Sequence, residues 1–575
     1  MRNTYFSTKK RLFAMFIAIA FIFFVIFLRL GYIQIVWGKK LQTRALEQWT
    51  RDLPITADRG DITDTNGIVL ASSGTSYTVY VRPNSVSNHS LVAELLSQAL
   101  KLSYEQVYEK VTAKISENTI KRKITVDEAN LIRSYNLEGV YLAADTSREY
   151  VYGDFLSQVL GFVSSDNTGQ SGLEAYYDKY LRGVDGAILT PSDLVGKELE
   201  GESAYYTPPV SGLNVVTTID FRIQRVVENV LDLVMQGHSP KGARCIVVNP
   251  QTGEVLAMSS KPSVDLNNLP RDNISELMSS TKNMLITDVY EPGSTFKVLT
   301  AAAMLEEYSR GNPKAHSASY VFPNNANFRI VDGSKVKCWT THTSSKHCNQ
   351  NLGDALNNSC NPIFTDIGLS LGKETMYKYL SAFGYGTVSG IDFAGEQAGL
   401  LVAQSAVTNG DLARISFGQT IAVTPLQLAM ATSAAVNGGL LMQPYLVKEI
   451  RTQEGELVKK FYPTVRQRAI SEKVSRELAG LLENVVTNGS GKQAYIEGFK
   501  VGGKTGTAQK YENGHIAVGK YVSSFVGFFP ADNPQYLALM LVDEPTGAHY
   551  GSTVAAPYAK MIFQQIINYK NLKPA

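Results

Sequence analysis

Ser294 and Lys297 stand three residues apart in EPGSTFKVLT, residues 291–300, and the VLTAAAMLEE that follows is apolar at helical spacing. Both side chains therefore fall on one face at the start of a buried helix, with Pro292 and Gly293 as helix-entry residues. A serine there meets the positive end of the helix dipole, and a lysine among apolar neighbours is pushed toward its neutral, basic form. That is a nucleophile with a base beside it; the plainer alternative is a helix cap followed by a snorkelling lysine. Two other stretches supply what such a serine needs. In LNNSCNPIF, residues 356–364, Ser359 and Asn361 flank Cys360, and a hydroxyl and a carboxamide at a turn can relay a proton and hold a substrate amide. In VGGKTGTAQK, residues 501–510, Lys504 and Thr505 offer a charge and a hydroxyl to a carboxylate. Gly506 lets a ligand approach the strand, and the N–H of Thr507 with that of Ser294 makes an oxyanion hole. The glycines and lysine do not fit a phosphate-binding loop.

The order SxxK, SxN and KTG, with about 65 and then about 145 residues between them, is the set found in penicillin-recognising enzymes. With it the chain resembles the class B penicillin-binding proteins, membrane-anchored D,D-transpeptidases of peptidoglycan synthesis. RGDITDTNG and GQSGLEAYYDKYLRG match that family's pedestal, and NPQTGEVLAM, SFGQTIAVTPLQLA and SSFVGFFPADNPQY match its catalytic domain. KCW followed by NNSCNP is most similar to the division and sporulation proteins of Gram-positive bacteria. The resemblance implies that Ser294 attacks the penultimate D-alanine carbonyl of a stem peptide, with Lys297 as base and Ser359 as relay. It implies that Asn361 holds the substrate amide while Lys504, Thr505 and Thr507 bind the terminal carboxylate. β-Lactams would be trapped on Ser294. A D,D-carboxypeptidase and a non-catalytic β-lactam sensor or scaffold are the alternatives. The resemblance further implies a SEDS-type glycan polymerase and divisome or sporulation proteins as partners, and chemistry that needs no cofactor.

Between the first two motifs lies CWTTHTSSKHC, residues 338–348. Cys338, His342, His347 and Cys348 fall within it, from a chain with four cysteines and seven histidines. Two thiolates and one or two imidazoles make a tetrahedral zinc set, although the spacing is not that of a standard finger. A structural zinc ion, a Cys338–Cys348 disulfide and unpaired thiols all remain open, with His342 favoured over His347 as a ligand. Cys245 and Cys360 read as small buried fillers.

These residues need a scaffold and a compartment. Apolar content of 44% with 19% charged residues is globular composition, and a net charge of +3 without basic clusters argues against nucleic acid. Residues 12–36 reach membrane-spanning length, behind a tail (1–11) carrying Arg2, Lys9, Lys10 and Arg11. The expectation is a single-pass membrane protein, its N-terminus cytoplasmic and its catalytic part outside, with a cleaved signal peptide as the alternative. A linker, ESAYYTPPVSG, separates an elongated pedestal, dimerisation-like by resemblance, over 40–210 from a catalytic domain over 215–570. Residues 90–145 read as helical. FRIQRVVENVLDLVMQG reads as an amphipathic helix, RCIVVNPQTGEVLAMSS as two strands about a turn, and 410–439 as turn, strand and long helix. The fold class is mixed α/β (α+β). By resemblance the catalytic domain is transpeptidase/β-lactamase-like, with a mainly antiparallel sheet flanked by helices.

Overall fold

The computed structural model describes the chain apart from residues 1, 39, 42–49, 192–204, 324–325, 343–346, 513–514 and 575. It gathers into two compact units. The smaller comprises Met1–Asp58, Thr75–Ser147 and Gly183–Val210; the larger comprises Arg59–Gly74, Arg148–Arg182 and Ser211–Ala575. The larger unit thus takes in two stretches, 59–74 and 148–182, from the range expected of the pedestal.

In the smaller unit, helix α1 spans Arg2–Ile35. Its Lys9–Ile35 portion is the one helix among the described residues long and apolar enough to cross a bilayer, as a single-pass membrane protein requires. Helices His89–Leu100, Tyr104–Val111 and Val126–Tyr135 pack around Leu96, Val107, Ile120 and Ile132. Each begins where a short polar side chain, Asn88, Ser103 or Thr125, accepts a bond from an unpaired N–H of the first turn. The stretch 90–145 is not helical throughout. Asn118–Ile124 (NTIKRKI) buries Ile120 and Ile124 and pairs as a strand with 77–81, because its apolar residues do not recur at helical spacing.

The larger unit is built on a five-stranded antiparallel sheet: β1 Gly242–Val248, β2 Val255–Lys261, β3 Gly502–Glu512, β4 His515–Phe529 and β5 Tyr536–Asp543, in the spatial order β2-β1-β5-β4-β3. The first two strands are the expected pair about a turn, with Val248 opposite Val255. Alternate residues serve opposite faces. Cys245, Val247, Phe525 and Met540 pack under helices Phe221–His238 and Ala556–Lys570, whereas Ile246, Val248, Val526 and Leu539 join the core that holds Ser294's helix. That helix, α2, runs Lys297–Ser309. Helix α3 spans Asn361–Ala382, beginning with Asn361-Pro362, where proline costs no hydrogen bond. The 410–439 stretch departs from the turn-strand-helix expectation. It opens with a short helix, α4, Asn409–Ile415, nucleated by a Thr408–Asp411 capping box. Extended pairing there is confined to bridges of Ala422 with Leu400 and Val423 with Tyr290 before helix Pro425–Val436 begins.

A buried ion cluster ties the larger unit's early segments together. Arg59 Nε lies 2.6 Å from Glu174 Oε2 and its Nη1 2.7 Å from Asp178, while Arg148 Nε lies 2.6 Å from Glu174 Oε1. Arg59 Nη2 donates to the Glu174 carbonyl and Arg148 Nη1 to the Gly60 carbonyl. The TADRG stretch, a turn by its residues, thus also delivers a guanidinium to the GQSGLEAYYDKYLRG segment. Tyr177 breaks the helix expected of that segment into two short ones, Gly172–Tyr176 and Asp178–Leu181.

Candidate active site

Ser294 lies one step before α2, in a 3-10 turn over Gly293–Phe296 rather than in the helix proper. Gly293 adopts φ +57°, which a side chain would strain, and its N–H donates to the Gly418 carbonyl at 2.9 Å. The turn leaves Ser294 half-buried at the floor of a cleft of about 590 Å³, while Lys297, one turn on, is fully buried.

Lys297 is the hub. Its Nζ lies 3.1 Å from Ser294 Oγ, 2.8 Å from the Ser359 carbonyl, 3.1 Å from Ser359 Oγ and 2.7 Å from Asn361 Oδ1, one contact more than an ammonium can donate, so a hydroxyl can donate to it in turn. Burial pushes its pKa down to about 8, against a smaller upward pull from Cys338 and Cys360. Lys504, on β3, is equally buried and donates to Ser359 Oγ at 3.0 Å and to the Thr505 carbonyl at 3.1 Å. Its pKa is driven well below the ordinary lysine value, first by burial and then by repulsion from Lys297. Two ammonium groups cannot both sit against one hydroxyl without a large penalty, so the pair favours a state with at least one neutral amine. Ser359 holds that position at φ +53°, a left-handed conformation uncommon for serine. Asn361 opens α3, with Nδ2 donating to the Lys337 carbonyl at 3.1 Å; each end of its amide keeps spare capacity.

β3 is an edge strand beside Ser294's turn. Thr505 Oγ1 lies 3.2 Å from Ser490 Oγ, and Thr507 Oγ1 accepts from the Gly551 N–H at 3.1 Å. The structure gives Gly506 a packing reason of its own. A Cβ there would stand 2.4 Å from Ser524 Oγ, 3.0 Å from Thr295 Cγ2 and 3.2 Å from the Pro292 carbonyl oxygen. Its missing side chain lets the strand press against the serine's turn. All eight residues read from the three motifs therefore converge on one region.

A domain model for the penicillin-binding protein transpeptidase domain matches residues 243–567, and one for the penicillin-binding protein dimerisation domain matches 54–217. The chain belongs to the penicillin-binding proteins. Stage V sporulation protein D of Bacillus subtilis (strain 168) is 40% identical over 580 residues, covering 100% of this chain and 88% of that protein. Peptidoglycan D,D-transpeptidase FtsI of Escherichia coli (strain K12) is 26% identical, covering 95% and 89%. Among solved structures, a peptidoglycan synthetase from Bifidobacterium adolescentis aligns with TM-score 0.73 at 24% identity, over 92% of this chain and 98% of that one. Penicillin Binding Protein 2X from Streptococcus thermophilus aligns with TM-score 0.72 at 23% identity, over 91% and 80%. The fold is accordingly the two-domain, mixed α/β architecture of penicillin-binding proteins, and the chain is a serine-type D-Ala-D-Ala transpeptidase by family.

Beside the site of this penicillin-binding protein, Cys338, His342, His347 and Cys360 bring one ligand atom each within 4.8 Å of one another. Three are residues expected of a metal set. The fourth is Cys360 rather than Cys348, which lies outside the group, and both histidines take part. The reason is local. Cys360 precedes Asn361 at the start of α3, where its thiol lies 3.9 Å from His342 Nε2, so the residue read as a filler faces the cluster. The four cysteines are unbonded. The Cys338 thiol is pulled far down, foremost by its hydrogen bond with Cys360 and then by His347 and His342, and Cys360 is pushed up by the same bond and by burial. The Nδ1 atoms of His342 and His347 are buried without a hydrogen-bond partner. That Cys360 sits next to the SxN serine was the available clue in the sequence.

Proposed function

We propose that Ser294 is the nucleophile of a D,D-transpeptidase that cross-links peptidoglycan stem peptides. The observation carrying this reading is the placement of buried Lys297 Nζ between Ser294 Oγ and Ser359 Oγ, each at 3.1 Å. Neutral Lys297 takes the Ser294 proton as Oγ attacks the penultimate D-alanine carbonyl, and the N–H groups of Ser294 and Thr507 receive the developing oxyanion. The proton passes through Ser359 to the leaving D-alanine nitrogen, freeing D-alanine and leaving the acyl-enzyme. A neighbouring stem peptide's amine then attacks the ester, its proton returns through the same relay, and Ser294 is regenerated. Asn361 orients the substrate amide, Lys504, Thr505 and Thr507 bind the terminal carboxylate, and Gly506 keeps β3 against the serine. β-Lactams enter by mimicking the D-Ala-D-Ala terminus. Ser294→Ala should abolish labelling by a fluorescent penicillin while leaving the circular-dichroism spectrum unchanged; labelling that survives places the nucleophile elsewhere.

The cysteine-histidine cluster supports a structural Zn²⁺ held by Cys338, His342, His347 and Cys360. Two sulfurs and two ring nitrogens suit tetrahedral zinc, and the buried, unpartnered Nδ1 of each histidine marks which nitrogens lack protein partners. The ion would fix the start of α3, and with it Ser359 and Asn361. Elemental analysis of protein purified without added metal should find one zinc per chain, lost in Cys360→Ser but kept in Cys348→Ser. Zinc absent from the wild type, or lost equally in both variants, removes this reading.

The proposed arrangement has residues 1–11 in the cytoplasm, 12–36 in the membrane, a pedestal over 40–210 and the transpeptidase domain over 215–570 outside the cell. The relative named for sporulation supports sporulation proteins as partners, and the resemblance to division and sporulation penicillin-binding proteins adds a SEDS-type glycan polymerase and divisome proteins. Protease accessibility in intact cells tests the orientation: cleavage of the catalytic domain from outside is expected.

A further inference from the structure

A second groove, of about 650 Å³, opens on the larger unit and shares no lining residue with the serine cleft. One wall is the pair of short helices Gly172–Tyr176 and Asp178–Leu181. The other is the edge strand Leu457–Lys460 with the residues that follow it. Six aromatic rings line the groove: Tyr176, Tyr177, Tyr180, Tyr445, Phe461 and Tyr462. Its floor is fixed. Tyr177 and Tyr445 are buried, and the Tyr177 hydroxyl donates to Asp392 Oδ2 at 2.7 Å. The N–H groups of Leu446 and Val447 donate to the same carboxylate at 2.6 and 2.9 Å. Asp392, the one acid of the lining, is therefore fully engaged in holding the floor together. Phe461 meets Tyr177 edge to face, with ring centroids 6.3 Å apart, which ties one wall to the other.

The rim is built differently. Tyr462 is 68% exposed and Tyr176 46%, on separate segments, so much of each ring is open to a ligand. Lys179, Lys459 and Lys460 stand exposed among them. Lys460 lies 3.3 Å from Glu449. Lys179 and Lys459 have no acid partner among the described residues; their ammonium groups lie 4.9 Å from the Tyr180 centroid and 4.7 Å from the Phe461 centroid. Open rings with unmatched lysines beside them suit a ligand that combines flat apolar faces, hydroxyls and negative charge. A pyranose lays its C–H face on the negative face of an aromatic ring, and its hydroxyls bond those of tyrosine. An acidic peptide answers the lysines alone.

Resting on the transpeptidase reading, we propose that this groove is a second, non-catalytic binding site, and that its ligand is the glycan strand of peptidoglycan. Sugar rings stack on Tyr176 and Tyr462, and carboxylates carried by the strand pair with Lys179 and Lys459. The polymer whose stem peptides react at Ser294 has both features, pyranose rings and carboxylates recurring along its length. The groove thus holds the substrate through parts that do not react.

The test uses the full-length protein in detergent, first acylated with unlabelled penicillin so that the serine cleft is filled. Three probes are titrated by calorimetry: soluble, uncross-linked glycan strands carrying their stem peptides, a neutral tetramer of N-acetylglucosamine, and a glutamate-rich peptide. The strand should bind, the neutral tetramer should bind about tenfold more weakly, and the glutamate peptide should show no binding below millimolar concentration. Tyr462→Ala should weaken strand binding about tenfold. Lys179→Gln combined with Lys459→Gln should bring the strand to the level of the tetramer and remove its salt dependence. Fluorescent-penicillin labelling of unblocked protein should be the same in these variants as in the wild type, showing that the fold and the serine cleft are intact. Strand affinity unchanged in Tyr462→Ala, no strand binding at millimolar concentration, or equally tight binding of the glutamate peptide overturns the proposal. Failure of Ser294 to take penicillin would instead strike the nucleophile assignment, and the same variants then read the groove on unblocked protein.

Discussion

The rate of β-lactam acylation should follow the protonation of Lys297. Burial brings this lysine from 10.5 to about 8. Its neutral fraction is then about one-tenth at pH 7, half at pH 8 and nine-tenths at pH 9. A lysine left at 10.5 would be neutral in only about three chains in ten thousand at pH 7, so burial raises the amount of active base roughly three-hundredfold. Under single-turnover conditions with a fluorescent penicillin, the second-order acylation rate constant should rise about tenfold from pH 7 to pH 9. The midpoint belongs to the coupled Lys297–Lys504 pair, since the two share Ser359 Oγ. A stability measurement gives the same sign. The unfolded chain binds the extra proton between about pH 8 and 10.5, so Lys297 makes the folded state gain stability as pH rises through that window. Lys297→Met should remove that gain and nearly all acylation. A rate constant flat from pH 6 to 9.5, or rising only toward 10.5, would refute the assignment of Lys297 as the base.

Other perturbations probe separate parts of the site. Asn361→Ala removes a 2.7 Å acceptor that favours the charged amine, so the acylation midpoint should move below that of the wild type while the plateau rate falls; an unmoved midpoint contradicts the contact. Gly506→Ala places a methyl 2.4 Å from Ser524 Oγ, and should cost about 1–3 kcal/mol in denaturant unfolding and slow acylation as β3 shifts. Arg59→Met leaves Glu174 buried with only Arg148 as its charge partner; it should destabilise the protein by about 3 kcal/mol, and a change under 1 kcal/mol would mean the cluster tolerates the loss.

Serine, lysine and amide side chains at fixed short spacings announce which groups share a turn, but that the three motifs belong together came from the resemblance; in the structure Ser294, Lys297, Ser359, Asn361 and Lys504 form one hydrogen-bonded network. What stayed hidden depends on contacts between distant segments. Cys360 is 22 residues from Cys338 in sequence, and nothing local reveals that the start of α3 faces the histidines. Gly506 was readable as a glycine requirement, but the partner filling its Cβ position, Ser524, comes from the next strand. Arg59 and Glu174 each sit in turn-rich stretches, and their pairing appears only when the fold is known. Periodicity found Phe221–His238, where one face is apolar and the other polar, and the turn residues between them marked the β1–β2 pair, whose strands are buried on both faces. It failed over Asn118–Ile124, whose charged outward residues mask a strand.

The order of strands across the catalytic sheet bears on how the chain comes to be active at all. β5, the last strand in the sequence, lies between β1 and β4. During synthesis β1 and β2 can form their hairpin early, but the flank of β1 that β5 will occupy stays open for about 290 further residues, roughly 15–60 s of translation. In that interval the nascent chain carries an unpaired, apolar strand edge of the kind that invites association with other chains. β3 with Lys504 pairs with β4, and β4 joins β1 only through β5. Acquisition of penicillin binding along the growing chain should therefore be abrupt, arriving only once residue 543 has emerged, and a chain stopped after β4 should hold all three motifs yet remain unlabelled.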